Sequence, residues 1–173
     1  MSRFKTSLAA LASLLAMSGA PAFAAEPARS LAGDYGFMIG NWKCRVTEAG
    51  RLTRETRVNF AWAYDGRFLR ETVKSPDGEL QGEFLTSYDR RTDSFKGVGV
   101  GSWGGYVVWE NKGLRSNRSH ETGYVFADGK MTAISATELE KVSQTHYIFR
   151  DFDVDASGAK TAPTDTEDCV KLG

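Results

Sequence analysis

Apolar and polar residues alternate with a period of two through most of this chain, and glycine, aspartate, asparagine and proline break the alternation at short intervals. Over residues 54–64, Val58, Phe60, Trp62 and Tyr64 share one face, while Arg57, Asn59, Ala61 and Ala63 share the other. A period of two separates the faces of a β-strand, so the first set is expected to point inward. Leu80, Gly82, Phe84, Thr86 and Tyr88 repeat the pattern. Helical periodicity is almost absent. Residues 35–39 are the exception, read as one helical turn that plugs an end of the sheet.

The breaks define about ten strands at the spacing of an all-β meander. They cover residues 41–48, 54–64, 67–74, 80–88, 94–102, 106–111, 119–126, 131–139, 143–153 and 161–171. Asp65-Gly66 is the strongest hairpin signal, because both residue types tolerate positive φ. Ser75-Pro76-Asp77-Gly78, Asp128-Gly129 and Ser157-Gly158 mark further turns, and one more is expected near Glu140-Lys141. Hairpin-length connections favour antiparallel neighbours, and closing the sheet removes its exposed edges. The expected fold is an up-and-down antiparallel β-barrel with a short N-terminal helical turn.

On the fifth strand Phe95, Gly97, Gly99 and Gly101 alternate with Lys96, Val98, Val100 and Ser102. A row of glycines on one face either leaves room for a ligand or bends a barrel corner, and the corner is the simpler reading.

The first residues read as a targeting segment rather than as fold. Arg3 and Lys5 precede an uncharged apolar stretch, and Ala22-Phe23-Ala24 satisfies the small-x-small rule of signal peptidase. Residues 1–24 are therefore expected to be a secretory signal, 25–34 a flexible leader, and 35–173 a single barrel domain. Export to the periplasm or beyond would put the two cysteines, Cys44 and Cys169, in an oxidising compartment. An intrachain disulfide near the two ends of the domain is the favoured reading, with an intermolecular bond as the alternative.

Charge narrows the partners. The chain carries 22 basic and 22 acidic residues. Loss of Arg3 and Lys5 with the signal would leave it slightly acidic. With no basic stripe and no amphipathic basic helix, neither nucleic acid nor membrane insertion of the mature chain is expected.

Several motifs match by letter and fail by mechanism. Residues 99–104 mimic a dinucleotide fingerprint, but a strand-like Tyr106-Val107-Val108-Trp109 follows where a helix N-terminus is needed. Asp151, Asp153 and Asp155 have the opening spacing of a calcium loop. Ala156 and Ala162 replace the glycine and glutamate it requires, so a solvated strand face is the better reading. His120 and His146 have no nearby metal-ligating partner, so no metal is expected. A nucleophile elbow is lacking. Asn117-Arg118-Ser119 is a glycosylation sequon by letter only.

The remaining signal is aromatic. Trp42, Trp62, Trp103 and Trp109, with Phe60, Phe84, Tyr88, Tyr106, Tyr124 and Tyr147, could line a cavity, although ordinary core packing accounts for the same set. Arg70 and Glu71 alternate faces, so one of them points inward as a polar anchor. His146 lies on a strand with Ile148 and could face the same space.

Phe37-x-x-Gly40-x-Trp42 with Cys44, residues 65–70 (Asp-Gly-Arg-Phe-Leu-Arg), Tyr88-Asp89, Gly104-Gly105-Tyr106 and the late Cys169 resemble a family of bacterial secreted lipocalin-like proteins with no assigned reaction. The resemblance spans residues 35–171. Gly40-Asn41-Trp42 is similar to the lipocalin opening motif, which implies that Trp42 closes the barrel floor and Gly40 shapes its approach. The haem-binding nitrobindin-like barrels are a more distant parallel. Their glycine-rich start is absent, and no cofactor is expected.

The reading adopted is a periplasmic or secreted barrel that binds a small hydrophobic or amphipathic molecule. One alternative is an enzyme on the same barrel using His146, Glu71 or Tyr147 as acid or base. Another is a packed barrel acting through its outer face.

Overall fold

The computed structural model describes residues 29–154 and 159–173. The expected signal segment and most of the leader lie outside them, as do Asp155 and the Ser157-Gly158 turn. The chain enters through α1 (Leu31–Tyr35), followed by a 3-10 turn over Gly36–Met38. The helix starts earlier than the expected Tyr35. The Ser30 hydroxyl caps it by accepting from the Gly33 N–H at 3.1 Å. Asp34 ties it to the barrel by accepting from the Leu114 N–H at 2.9 Å.

Ten strands follow: β1 (Gly40–Glu48), β2 (Arg51–Ala63), β3 (Phe68–Lys74), β4 (Leu80–Asp89), β5 (Ser94–Gly101), β6 (Tyr106–Asn111), β7 (Arg118–Ala127), β8 (Lys130–Ser143), β9 (His146–Val154) and β10 (Lys160–Lys171). Each pairs antiparallel with its chain neighbour, and β1 pairs with β10 to close the barrel. The expected fold class is what the structure shows. At the β2–β3 connection Tyr64, Asp65 and Gly66 all take positive φ, as the Asp-Gly signal predicts. The glycine-rich run 99–104 leads from β5 into β6 rather than into a helix.

One boundary differs. β8 continues through Glu140 and Lys141 to Ser143, and the turn falls at Gln144-Thr145. Glu140 reads as turn-like until the sheet supplies partners, which are Arg118 at 3.2 Å and Arg150 at 2.7 Å. The Ser143 hydroxyl then holds the real turn by accepting from the Thr145 N–H at 3.1 Å.

Cys44 and Cys169 face each other across the β1–β10 seam and are bonded. Both are fully buried on the inner face. Just beneath lies the floor. Trp42 is fully buried, donates its indole N–H to the Met38 carbonyl at 2.6 Å, and meets the Tyr147 ring edge-on at 4.9 Å. Leu31, Tyr35, Phe37 and Met38 pack up from the helical segment against Phe60, Leu69, Phe95 and Leu139. The core therefore sits at one end of the barrel.

The glycine row on β5 is neither an empty pocket nor a plain bend. A methyl group at Gly97 would overlap the Trp109 ring, one at Gly99 the Phe84 ring, and one at Gly101 the Trp103 ring. Three aromatic rings occupy the space that side chains would otherwise fill.

Two outcomes follow. Replacing Cys44 and Cys169 together by alanine removes a cross-link between positions 125 residues apart. It should lower the unfolding free energy in urea by about 4 kcal/mol, and an unchanged midpoint would contradict the seam's role. Gly99→Ala should destabilise by about 1–3 kcal/mol through overpacking against Phe84, read as a lower melting temperature.

Candidate ligand-binding site

Strand register decides what faces inward above the floor. Phe60 pairs with Glu71, Glu71 with Phe84, Phe84 with Gly99, Gly99 with Val107, and Val107 with Val125. Farther round, Asn111 pairs with Glu121, Glu121 with Thr137, Thr137 with Asp151, and Asp151 with Asp165. Glu167 joins them on β10, opposite Val46 and Phe149. The inner wall thus has an apolar sector on β4–β7, built from Phe84, Trp109, Val107 and Val125. Glu121 on β7, Asp151 on β9 and Asp165 and Glu167 on β10 stand along one side of that sector, and Glu71 on β3 flanks its other edge between Phe60 and Phe84.

The two ends of the barrel differ in exposure. Floor residues such as Trp42, Phe60, Leu69, Phe95 and Leu139 are buried. Glu71, Phe84, Trp109, Glu121, Phe149, Asp151 and Glu167 point inward yet remain half-buried. The interior is packed tightly at its floor, and the inner wall above it forms a cup whose side chains keep part of their surface accessible.

Among the described residues, none of these acids is in a direct ion pair. Glu71 makes no hydrogen bond or ion pair with any described residue. Burial, then the charges of Glu167 and Glu121, push its carboxyl up to about 8. Glu121 rises to about 7 through burial and Asp151, against the Asn111 amide that donates to it at 3.2 Å. Asp151 is raised by burial although the Thr137 hydroxyl donates to it at 2.5 Å. Burial also raises Glu167 and Asp165, and only Arg54 at the rim counters it. That arginine is half-exposed and paired with Glu48 at 2.7 Å. Tyr147, below the acids, is held well above its ordinary value by burial and by Glu71 and Glu167.

The outer face of the same sheet shows the contrast. Glu138 is buried there among Arg150 at 3.5 Å, His120 at 3.6 Å, Arg118 at 3.7 Å and Lys160 at 3.9 Å.

The structure sorts the residues expected at the site. Glu71, Phe84 and Trp109 come together in the cup. Trp103 sits in the β5–β6 turn at the mouth, 46% exposed, with its ring stacked 6.5 Å from Phe84. Tyr147 belongs to the floor below. Tyr88 lies at the floor end, against Phe95 at 5.0 Å, with its hydroxyl donating to Asp93 at 2.7 Å. Trp62 follows the inward register but is 39% exposed at that same end. Arg70 and His146 are corrected, since neither faces the interior. Glu71 takes the inward position of its pair, and Arg70 lines an outer groove of about 550 Å³ with Glu83, Leu85, Val98 and Val100. His146 pairs outside with Asp168 at 2.8 Å, which removes it from any interior acid–base pair.

Asp151 is also corrected. It belongs to the inner wall, not to a solvated face. Glu121, Asp165, Glu167 and the buried Thr56 hydroxyl were not singled out from sequence either. Counting back by twos from Cys169 reaches Glu167 and Asp165, and that was the available signal.

Among the described residues, only Cys44, Glu167 and Cys169 bring three metal-type donor atoms within 4.8 Å of one another, and both sulfurs are in the disulfide. The acids do not converge on a single ion.

Carboxyls raised in the folded state bind more protons than their unfolded counterparts, so stability falls as pH rises between the two values. For Glu71 that window runs from 4.5 to about 8. Each unit of upward shift corresponds to about 1.4 kcal/mol lost across it. The melting temperature should therefore drop from pH 5 to pH 8, and Glu71→Gln should flatten the slope. An identical slope in the variant would contradict the assignment.

No protein-family model matches the chain, and neither does any curated protein. Among solved structures, a redesigned β-barrel is similar over 84% of this chain and 100% of its own, at 14% identity and a TM-score of 0.42.

Proposed function

We propose that this protein is an exported binding module that holds a small amphipathic molecule inside its barrel. The observation that carries the reading is the split interior. Fully buried packing closes the floor, while the aromatic and acidic residues above it stay half-buried on the inner wall. A barrel of this size either fills with side chains or holds one small ligand, and the upper wall fits the second case. The reading takes residues 1–24 as a cleaved secretory signal and 25–34 as leader, of which 31–34 belong to α1. The buried disulfide supports an oxidising compartment. Among the described residues, no helix is long and apolar enough to cross a membrane.

An outer strip favours the reading of a packed barrel that acts through its exterior. Val98, Val100, Tyr106, Tyr124 and Met131 are 44–63% exposed on β5–β8. That reading leaves the uncompensated acids inside without a purpose, because a filled barrel is better served by apolar residues.

Native mass spectrometry of protein purified gently from the extracytoplasmic fraction tests the proposal. The expected result is extra mass that disappears on denaturation. A bare mass, together with tryptophan fluorescence that no apolar or amphipathic probe alters, would overturn it.

A further inference from the structure

Resting on the binding reading, we propose that the cup selects an organic cation: an amine whose ammonium sits among Glu71, Glu121 and Glu167 while its apolar body lies against Phe84 and Trp109.

Three observations lead there. Carboxylates enter the cup from β3, β7, β9 and β10; among the described residues the inward cations are Arg54 at the rim, which is paired with Glu48, and Lys141 and Lys171 at the floor, which sit over Phe37 and Trp42 instead. The same chain surrounds the outward Glu138 with four basic side chains, so the interior acids are not unpaired for want of bases. The Thr56 hydroxyl is 5% exposed on the inner wall, beside the disulfide that Glu167 approaches, and has no hydrogen-bond partner among the described residues. A buried hydroxyl in that state costs stability unless something arrives to bond it.

The shape of the charge selects the class. The acids ring the wall without gathering three donors around one point, which suits a larger cation better than a metal ion. Phe84 is the direct cross-strand partner of Glu71, with Trp109 against it, and ring faces attract cations as well as covering apolar surface.

The groups facing Glu71 set the pH dependence. Glu167 of β10 and Glu121 of β7 act on Glu71, which acts in turn on Tyr147 of β9; Glu121 is raised further by Asp151 of β9, and Glu167 by Asp151 and by Asp165 of β10, with Arg54 of β2 opposing. Glu71 and Glu121 are partly protonated near neutral pH. An arriving ammonium favours their ionised forms, so binding releases protons and tightens as pH rises.

Isothermal titration of the purified, disulfide-bonded protein with three matched probes tests this. The probes are 4-phenylbutylamine, 4-phenyl-1-butanol and 4-phenylbutanoate. At pH 7.5 the amine should bind at least about ten-fold more tightly than the alcohol, with the carboxylate weakest. The amine's heat should differ between phosphate and Tris buffers in proportion to their ionisation enthalpies, which reads the released protons. Glu71→Gln combined with Glu167→Gln should remove the amine's advantage and leave the alcohol's affinity within about two-fold. An alcohol that binds as well as the amine, a preference that survives the double variant, or the absence of proton release would overturn the cation inference and leave the cup standing. Failure of all three probes to bind would overturn both.

Discussion

A closed sheet depends on its last pair of strands. Here the first strand must find the last across the whole chain, and everything inside the barrel takes its orientation from that register. Trp42 lies opposite Lys171 and Cys44 opposite Cys169, and the disulfide locks the pairing. A slip of one residue would turn Trp42 and Val46 outward and bring Lys43 and Arg45 into the floor. Lys171 adds a second clasp. Its ammonium donates to the Phe37 carbonyl at 2.9 Å and lies 5.2 Å from the centre of the Trp42 ring, so the end of β10 grips the helical plug.

The floor and the cup meet through one polar chain. The Tyr35 hydroxyl donates to the Asn111 side chain at 2.8 Å, and the Asn111 amide donates to Glu121 at 3.2 Å. The helical plug is therefore bonded to a cup acid as well as packed beneath it. The inner wall changes character over a short distance, from apolar packing strong enough to close the barrel to carboxyls that only their raised proton affinity keeps partly neutral.

Much of the fold was legible because turns announce themselves. Asp65-Gly66 and Asp128-Gly129 adopt the positive φ their composition favours, and the strands between such signals had little freedom in length. The β8 boundary was less legible, because Glu140 and Lys141 look like a turn until distant strands provide partners. The site was harder still. Alternation separated Arg70 from Glu71 but did not say which face was inner. Aromatic character marks Phe84 and Trp109, but their seats over Gly99 and Gly97 follow from cross-strand register, which no local pattern carries. Interior acids contradict the usual rule that charge faces water, so Asp151 read as solvated. Only its register against Thr137 and Asp165 shows otherwise.

The chain enters the barrel and leaves it at the same end. Leu31 begins the plug, and the Leu172 N–H donates to the Asn41 carbonyl at 2.8 Å beside it. The fully described connections at the mouth, β1–β2, β3–β4, β5–β6 and β7–β8, are hairpins between consecutive strands. Sequence appended before the plug or after β10 would thus emerge beneath the floor, on the far side from the opening. The barrel can be tethered, fused or anchored from below with its mouth still facing away from the support, and its strand order could be recut at the seam without touching the rim.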